Sequence, residues 1–205
     1  MSAPAGARRM LRQSEEFSDS AAPVLCGIYR LRGDDGAHAH DFAEIAVIAG
    51  GHGVHRTAGG AHAVAAGDFF VLRPGAWHGY ESCRELVVAN CCLALPALRT
   101  DLAFLQSLPA IADLLWIAPV ARGRYGVHSG QVDAAAAGRF VAGVRQLAAT
   151  LAAPRRNPIA ISGALVSALA HLVGDPGTRH GALEPGRPSA VPPAAVEAVA
   201  RAVQD

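Results

Sequence analysis

From Val24 to about Leu95 the apolar residues come in short runs broken by Gly-rich punctuation. Leu25–Arg30, Glu44–Ile48, Gly53–Thr57, His62–Ala65, Asp68–Leu72 and Leu86–Leu93 each read as a strand. Asp34-Asp35-Gly36, Gly50-Gly51, Gly59-Gly60 and Pro74-Gly75 read as the turns between them. Many short strands at close spacing predict a β-sandwich or barrel. Gly59-Gly60 predicts a hairpin turn, because glycine accepts the positive φ that such turns need. After Pro96 the period changes. Leu98 to Leu115 is mixed and partly helical. Phe140, Val144, Leu147 and Leu151 recur at helical spacing inside Val132 to Leu151, and Ile161, Leu165, Leu169 and Leu172 mark a second amphipathic helix. Pro154 and Pro158 bracket the break, so the two helices are expected to pack as an antiparallel pair.

The ends of the chain carry no such pattern. Residues 1–20 are small and polar, with no apolar stretch for a signal peptide, and read as a flexible arm. Residues 175–193 hold five Pro and three Gly and read as a linker. Residues 194–205 look like the first turns of a further helix. The most apolar long stretch, Leu102 to Ala121, contains Gln106, Pro109 and Asp113 and reads as a buried packing segment, not as a membrane span.

Composition narrows the function. Hydrophobic residues make up 51% of the 205-residue chain and charged residues 17%, enough for a packed core. The net charge is +1, all basic residues are Arg, and these are scattered, so the chain presents no nucleic-acid-binding stripe. Cys26, Cys83, Cys91 and Cys92 lack the C-x-x-C spacing of zinc or redox sites and read as reduced thiols in a cytoplasmic protein. Cys91 and Cys92 are expected on opposite faces of their strand.

The chemistry concentrates in His38-Ala39-His40-Asp41-Phe42-Ala43-Glu44 and, further on, in Pro74-Gly75-Ala76-Trp77-His78. His38 and His40 share a face if they lie on a strand, and Glu44 keeps that parity if no bulge intervenes. His78 opens the strand after a Pro-Gly turn. In an antiparallel barrel His38, His40, Glu44 and His78 can converge on one interior point. Three imidazoles and a carboxylate suit a divalent first-row metal such as Zn, Ni, Mn or Fe. The same residues also admit a metal-free polar cluster, or direct hydrogen bonding to a small effector. Trp77 and Tyr80 flank His78 at the barrel mouth and are candidates to stack on a ligand, and His55 is a candidate inward-facing residue on a neighbouring strand. Arg30 and Arg32 are candidate partners for an anion or hydroxyl. His52, His62, His128, His171 and His180 carry no spacing argument and read as surface or capping residues.

This spacing resembles the cupin signature. H-x-H, three residues, E, six residues and G is met by His38, His40, Glu44 and Gly51, and a shortened P-G-x-x-H by Pro74, Gly75 and His78. The usual late Asn of the second motif is replaced by Ser82. The wider order, which adds Gly53-Val54-His55, Gly67-Asp68 and Val88-Ala89-Asn90, resembles the sensing domains of AraC-type transcription regulators, particularly the rhamnose-operon kind. The resemblance implies a mainly β fold with C-terminal α: a cupin (double-stranded β-helix or jelly-roll) barrel over 21–96, then an antiparallel helical hairpin for dimerisation within 97–174. It implies a small-molecule effector, a sugar or small acid, and a homodimer. It also implies DNA contact only through a helix-turn-helix domain that would follow 194–205 and is absent from this sequence, and no enzymatic activity. The alternative is a metal-dependent cupin enzyme, a dioxygenase or isomerase. The helical hairpin and linker, which such an enzyme has no evident need for, weigh against it.

Overall fold

The computed structural model describes residues 9–17, 22–173 and 178–180. In chain order the elements begin with β1 (Arg9–Leu11), α1 (Gln13–Glu16), β2 (Val24–Leu31), β3 (Asp35–His40), β4 (Ala43–Thr57), β5 (Gly60–Ala65), β6 (Asp68–Leu72) and β7 (His78–Leu93). Short helices α2 (Leu95–Arg99), α3 (Pro109–Ala112) and α4 (Ala118–Ala121) follow, with a 3-10 turn over Ala103–Ser107 and a π turn over Asp113–Ile117. Then come β8 (Val127–Gln131), α5 (Ala134–Ala152), α6 (Pro158–Val173) and β9 (Arg179–His180).

All nine strands join one sheet. Its frame is the long antiparallel pair β4–β7, with β2 and β3 on the other edge of β7 and β5 and β6 on β4. The register shifts repeatedly along β4 between Ile48 and Val54. Gly51 there has a φ of 69°, and Ser82 and Glu85 on β7 also take positive φ. These irregularities bend both strands. Ala46, Ile48, Val64, Phe70, Leu72, Tyr80, Leu86 and Val88 make one core cluster, and alternate residues such as Ile45, Val47, Phe69, Val71 and Ala89 belong to a second. That second core continues beneath α5 and α6, through Phe140, Val144, Leu147, Ile161, Leu165 and Leu169. The period-two alternation of the strands thus feeds two layers. Asp133 caps α5 by accepting the Ala136 N–H at 2.7 Å. The two helices pack closely: a Cβ at Gly143 would lie 2.8 Å from that of Ala168.

Several expectations change. Residues 9–17, read as part of a flexible arm, instead form β1 and α1, and β1 runs parallel to β3 with Arg9 opposite His38. Glu44–Ile48 and Gly53–Thr57 are one bent strand, not two. The hairpin reverses at Ala58-Gly59, and Gly60, already paired with Thr57, takes the positive φ. A strand missed by the pattern, β8, pairs with β6, so the sheet reaches past residue 96 into the region read as helical. Its alternate residues His128 and Gly130 are buried, but neither is apolar enough to signal a strand. Arg179–His180, within the expected linker, pair with β8. The rest of the expected arm, and residues 181–205, lie outside the described residues. Leu102 to Ala121 buries Leu102, Leu105, Ile111, Leu114 and Ala118 but leaves Ile117 and Val120 exposed. Among the described residues no helix is long and apolar enough to cross a membrane.

Candidate functional site

His40 and Glu44 do not share a strand. A bend at Asp41-Phe42 separates β3 from β4, and both strands pair with β7. Register sets Glu44 opposite Cys92 at one end of β7 and Thr57 opposite His78 at the other. Yet Glu44 Oε2 lies 3.4 Å from His78 Nε2, so the bent strands fold their far ends over one another. His40 Nε2 stands 3.0 Å from the same oxygen. The donor atoms of His40, Glu44 and His78 all fall within 4.8 Å of one another, and all three residues are buried.

The hydrogen bonds around this cluster fix what it can bind. His40 Nδ1 faces the Phe42 carbonyl at 2.7 Å; a carbonyl only accepts, so Nδ1 donates and the lone pair of the neutral ring sits on Nε2. His78 Nδ1 meets Nε2 of the fully buried His55 at 3.2 Å. With Nδ1 as donor there, His78 Nε2 also carries a lone pair. Each Nε2 lies beside Glu44 Oε2 but outside good hydrogen-bond geometry, so it can turn a lone pair to a cation or, when protonated, a proton to the carboxylate. Asn90 Nδ2 donates to Glu44 Oε1 at 3.1 Å, which leaves buried Asn90 Oδ1 without a partner. Burial opposes ionisation of Glu44, but the His40 and His78 imidazoles hold its carboxyl well below the usual range. Burial, and then the neighbouring His78, push His55 well below the ordinary histidine value. What converges here is a set of acceptors around one carboxylate, and such a set is completed by a cation or by a ligand rich in N–H or O–H donors.

The cluster forms the polar end of a cavity of about 460 Å³. Leu25, Leu31, Phe42 and Val88 supply apolar wall; Tyr29, Tyr80, Asn90 and Cys92 also line it; Arg9, Leu11 and Glu16 reach it from β1 and α1. Tyr80 is 3% exposed and its hydroxyl has no partner, while burial, and then Glu44, raise its pKa well above the ordinary phenol value.

The seven residues singled out from sequence separate into layers. His40, Glu44 and His78 form the cluster. His38 lines the cavity but stands outside the donor group: its ring centroid is 4.5 Å from that of His78 and its Nδ1 turns to Gly36 O at 2.9 Å. Burial and the nearby His78 lower its pKa. Tyr80 lines the cavity. His55 does not line it but supports His78 from behind, stacked on Tyr80 and tilted against Phe70. Trp77, one residue out of phase with inward-facing His78, is not among the lining residues. Arg30 and Arg32 are bound to surface Glu85 at 2.6 and 2.7 Å. His128, expected at the surface, is fully buried against Phe69 and His180. Asn90 and Tyr29 were missed as site residues; the available signal was parity, since Val88, Asn90 and Cys92 alternate along β7.

Residues 23–99 match the family model for the AraC-like ligand binding domain. The HTH-type transcriptional activator RhaR of Enterobacter sp. (strain 638) is 23% identical over 108 residues, 53% of this chain and 38% of that protein. RhaR of Cronobacter sakazakii is 27% identical over 81 residues, 40% of this chain and 29% of that protein. The matches therefore span well under half the length of these curated relatives. Among solved structures, a cupin-2 domain protein from Shewanella frigidimarina aligns with a TM-score of 0.33 and 16% identity, over 35% of this chain and 72% of the other. A predicted oxalate decarboxylase from Thermotoga maritima aligns with a TM-score of 0.33 and 28% identity, over 35% and 66%. Residues 23–99 of this chain are thus similar to the AraC-like ligand binding domain, and the match leaves the rest of the chain outside it.

Proposed function

We propose that this chain is the effector-binding and dimerisation part of an AraC-type regulator, and that the cavity ending in His40, Glu44 and His78 is its sensing site. The observation that carries this reading is the cavity itself, whose polar end is a cluster of acceptors with unmet valences. The cluster fits a divalent cation such as Zn, Ni, Mn or Fe, with His40 Nε2, His78 Nε2 and Glu44 Oε2 as ligands and His55 and Asn90 orienting them from behind. A bound cation would supply a Lewis-acidic anchor for effector oxygens. The chain's own residues set the rest: Asn90 Oδ1 accepts from an effector hydroxyl or amine, Tyr80 offers a phenol, and the leucines cover an apolar face. A sugar or a small hydroxy acid has this mixture of groups.

Because Arg9, Leu11 and Glu16 also line the cavity, an effector would touch the N-terminal segment directly and bias its position. In a full-length regulator that bias would pass to a helix-turn-helix domain lying outside this sequence. The helical pair α5–α6 is the proposed homodimer contact. Small exposed residues on α6, including open-faced Gly163, and Ile159 at its start, 83% exposed, support it. The rival reading, a metal-dependent dioxygenase or isomerase, draws on the same two-histidine, one-carboxylate set, which in such enzymes leaves coordination positions open.

Thermal-shift screening of the purified chain against sugars and small acids, with and without divalent metal, tests the proposal. An effector at about 100 times its dissociation constant should add about 2.7 kcal/mol of stability, with no product formed. His38→Ala combined with His40→Ala should remove that shift and leave the barrel folded. An unchanged shift would place the pocket elsewhere, and turnover of a hit would favour the enzyme.

A further inference from the structure

The sensing cavity uses one cysteine wall, Cys92, and leaves a second pair of thiols unexplained. Cys26 on β2 and Cys91 on β7 are direct register partners. Directly opposed residues of an antiparallel pair hold their Cβ atoms about 4.5–5.5 Å apart, and a disulfide needs about 3.5–4.5 Å, so a small approach of the strands suffices. Both residues belong to the core that continues beneath α5, where Cys26 Sγ lies 3.8 Å from the carbonyl of Val144. Cys91 is fully buried, whereas Cys26 is half-buried and lines a surface groove with Ala148, Leu151 and Ala152. The neighbouring Cys91 thiol lowers the Cys26 pKa below the ordinary thiol value, and Cys26, with burial added, pushes Cys91 well up. The roles are therefore unequal: an accessible, more acidic thiol backed by a buried partner.

We propose that Cys26 and Cys91 form a hydroperoxide-responsive site that closes a cross-strand disulfide beneath α5. The Cys26 thiolate attacks one peroxide oxygen; the O–O bond breaks, leaving Cys26 as a sulfenic acid and releasing hydroxide or alkoxide. The Cys91 thiol then attacks the sulfenic sulfur. The S–S bond forms, the S–O bond breaks, and the departing hydroxide takes the Cys91 proton as water. The two sulfurs lose two electrons and the peroxide gains them. The bond pins β2 to β7 at the seam where the sheet meets α5, and so ties the barrel to the helical layer.

The full chain, reduced and then exposed to hydrogen peroxide, is expected to lose about 2 Da of intact mass. Its thiol count after denaturation should fall from four to two, with a Cys26–Cys91 linkage in peptide mapping that dithiothreitol reverses. Cys83→Ser should keep the mass loss, and Cys26→Ser and Cys91→Ser should each abolish it. Because Cys91 lies in the core, Cys26→Ser at the half-buried position carries the test if Cys91→Ser does not fold. Oxygen addition at Cys26 without loss of a second thiol, a linkage through Cys83 or Cys92, or four thiols surviving peroxide would each overturn the proposal.

Discussion

Glu44→Ala is expected to abolish divalent-cation binding and to destabilise the barrel. The carboxylate is 6% exposed and serves three neighbours at once: His40 Nε2 at 3.0 Å, His78 Nε2 at 3.4 Å and Asn90 Nδ2 at 3.1 Å. Losing a residue that merely orients a metal ligand costs about 10–100-fold in affinity, and losing the only anionic ligand should cost at least the upper figure. Truncation also strands the buried Asn90 amide, for which an unsatisfied group costs about 1–3 kcal/mol. Metal titration by calorimetry and urea unfolding of the metal-free chain read the two effects separately. The stability effect has a pH signature. Glu44 is held well below the ordinary carboxylate range, so its contribution is present above the unfolded carboxyl pKa and is lost as pH falls through the folded one. The difference between wild type and variant should be full at neutral pH and shrink in acid. A variant that still binds metal with wild-type affinity would remove Glu44 from the site.

Gly51→Ala is the second large effect, and it acts through the backbone. Gly51 has a φ of 69°, and a Cβ there would fall 2.0 Å from the Glu85 carbonyl oxygen and 2.7 Å from Leu86 Cα. The left-handed conformation costs an L-residue about 1–2 kcal/mol and overpacking against fixed atoms about 1–3 kcal/mol, roughly 2–5 kcal/mol together. The neighbouring Gly50 has no positive φ, and a Cβ there would meet nothing within 4 Å, so Gly50→Ala is the matched control and should change little. Since β4 bends at Gly51 to bring the His78 end over Glu44, any Gly51→Ala that folds should also bind metal more weakly. Equal urea midpoints for the two variants would show that the bend tolerates a side chain.

This glycine explains why so much of the site was legible in the sequence. The motif spacing encodes a bend as well as ligands: Gly51 marks where β4 turns, and Pro74-Gly75 sets the entry of His78. Three of the four expected ligands come together for that reason. His38 separates from them because parity fixes which face a side chain takes, not which neighbour its ring reaches, and the Gly36 carbonyl draws its Nδ1 away. Strand parity does not explain how Glu44 comes to lie beside His40, since the chain bends at Asp41-Phe42 and the convergence is made by shared pairing to β7. Strands β1, β8 and β9 stayed hidden because their stability comes from pairing with distant partners, not from apolar alternation of their own. Asn90 stayed hidden as a site residue because strand parity puts it on the inner face without saying that its amide meets a ligand there. Its role emerges only with Glu44 placed 3.1 Å away.

The central claim is that the interior cluster of His40, Glu44 and His78 is a binding site. Anomalous scattering from crystals soaked in Mn or Ni tests it most directly. The account predicts one strong peak per chain, bonded to His40 Nε2, Glu44 Oε2 and His78 Nε2. A well-occupied peak elsewhere, or none at the cluster while its side chains keep their positions, would contradict it.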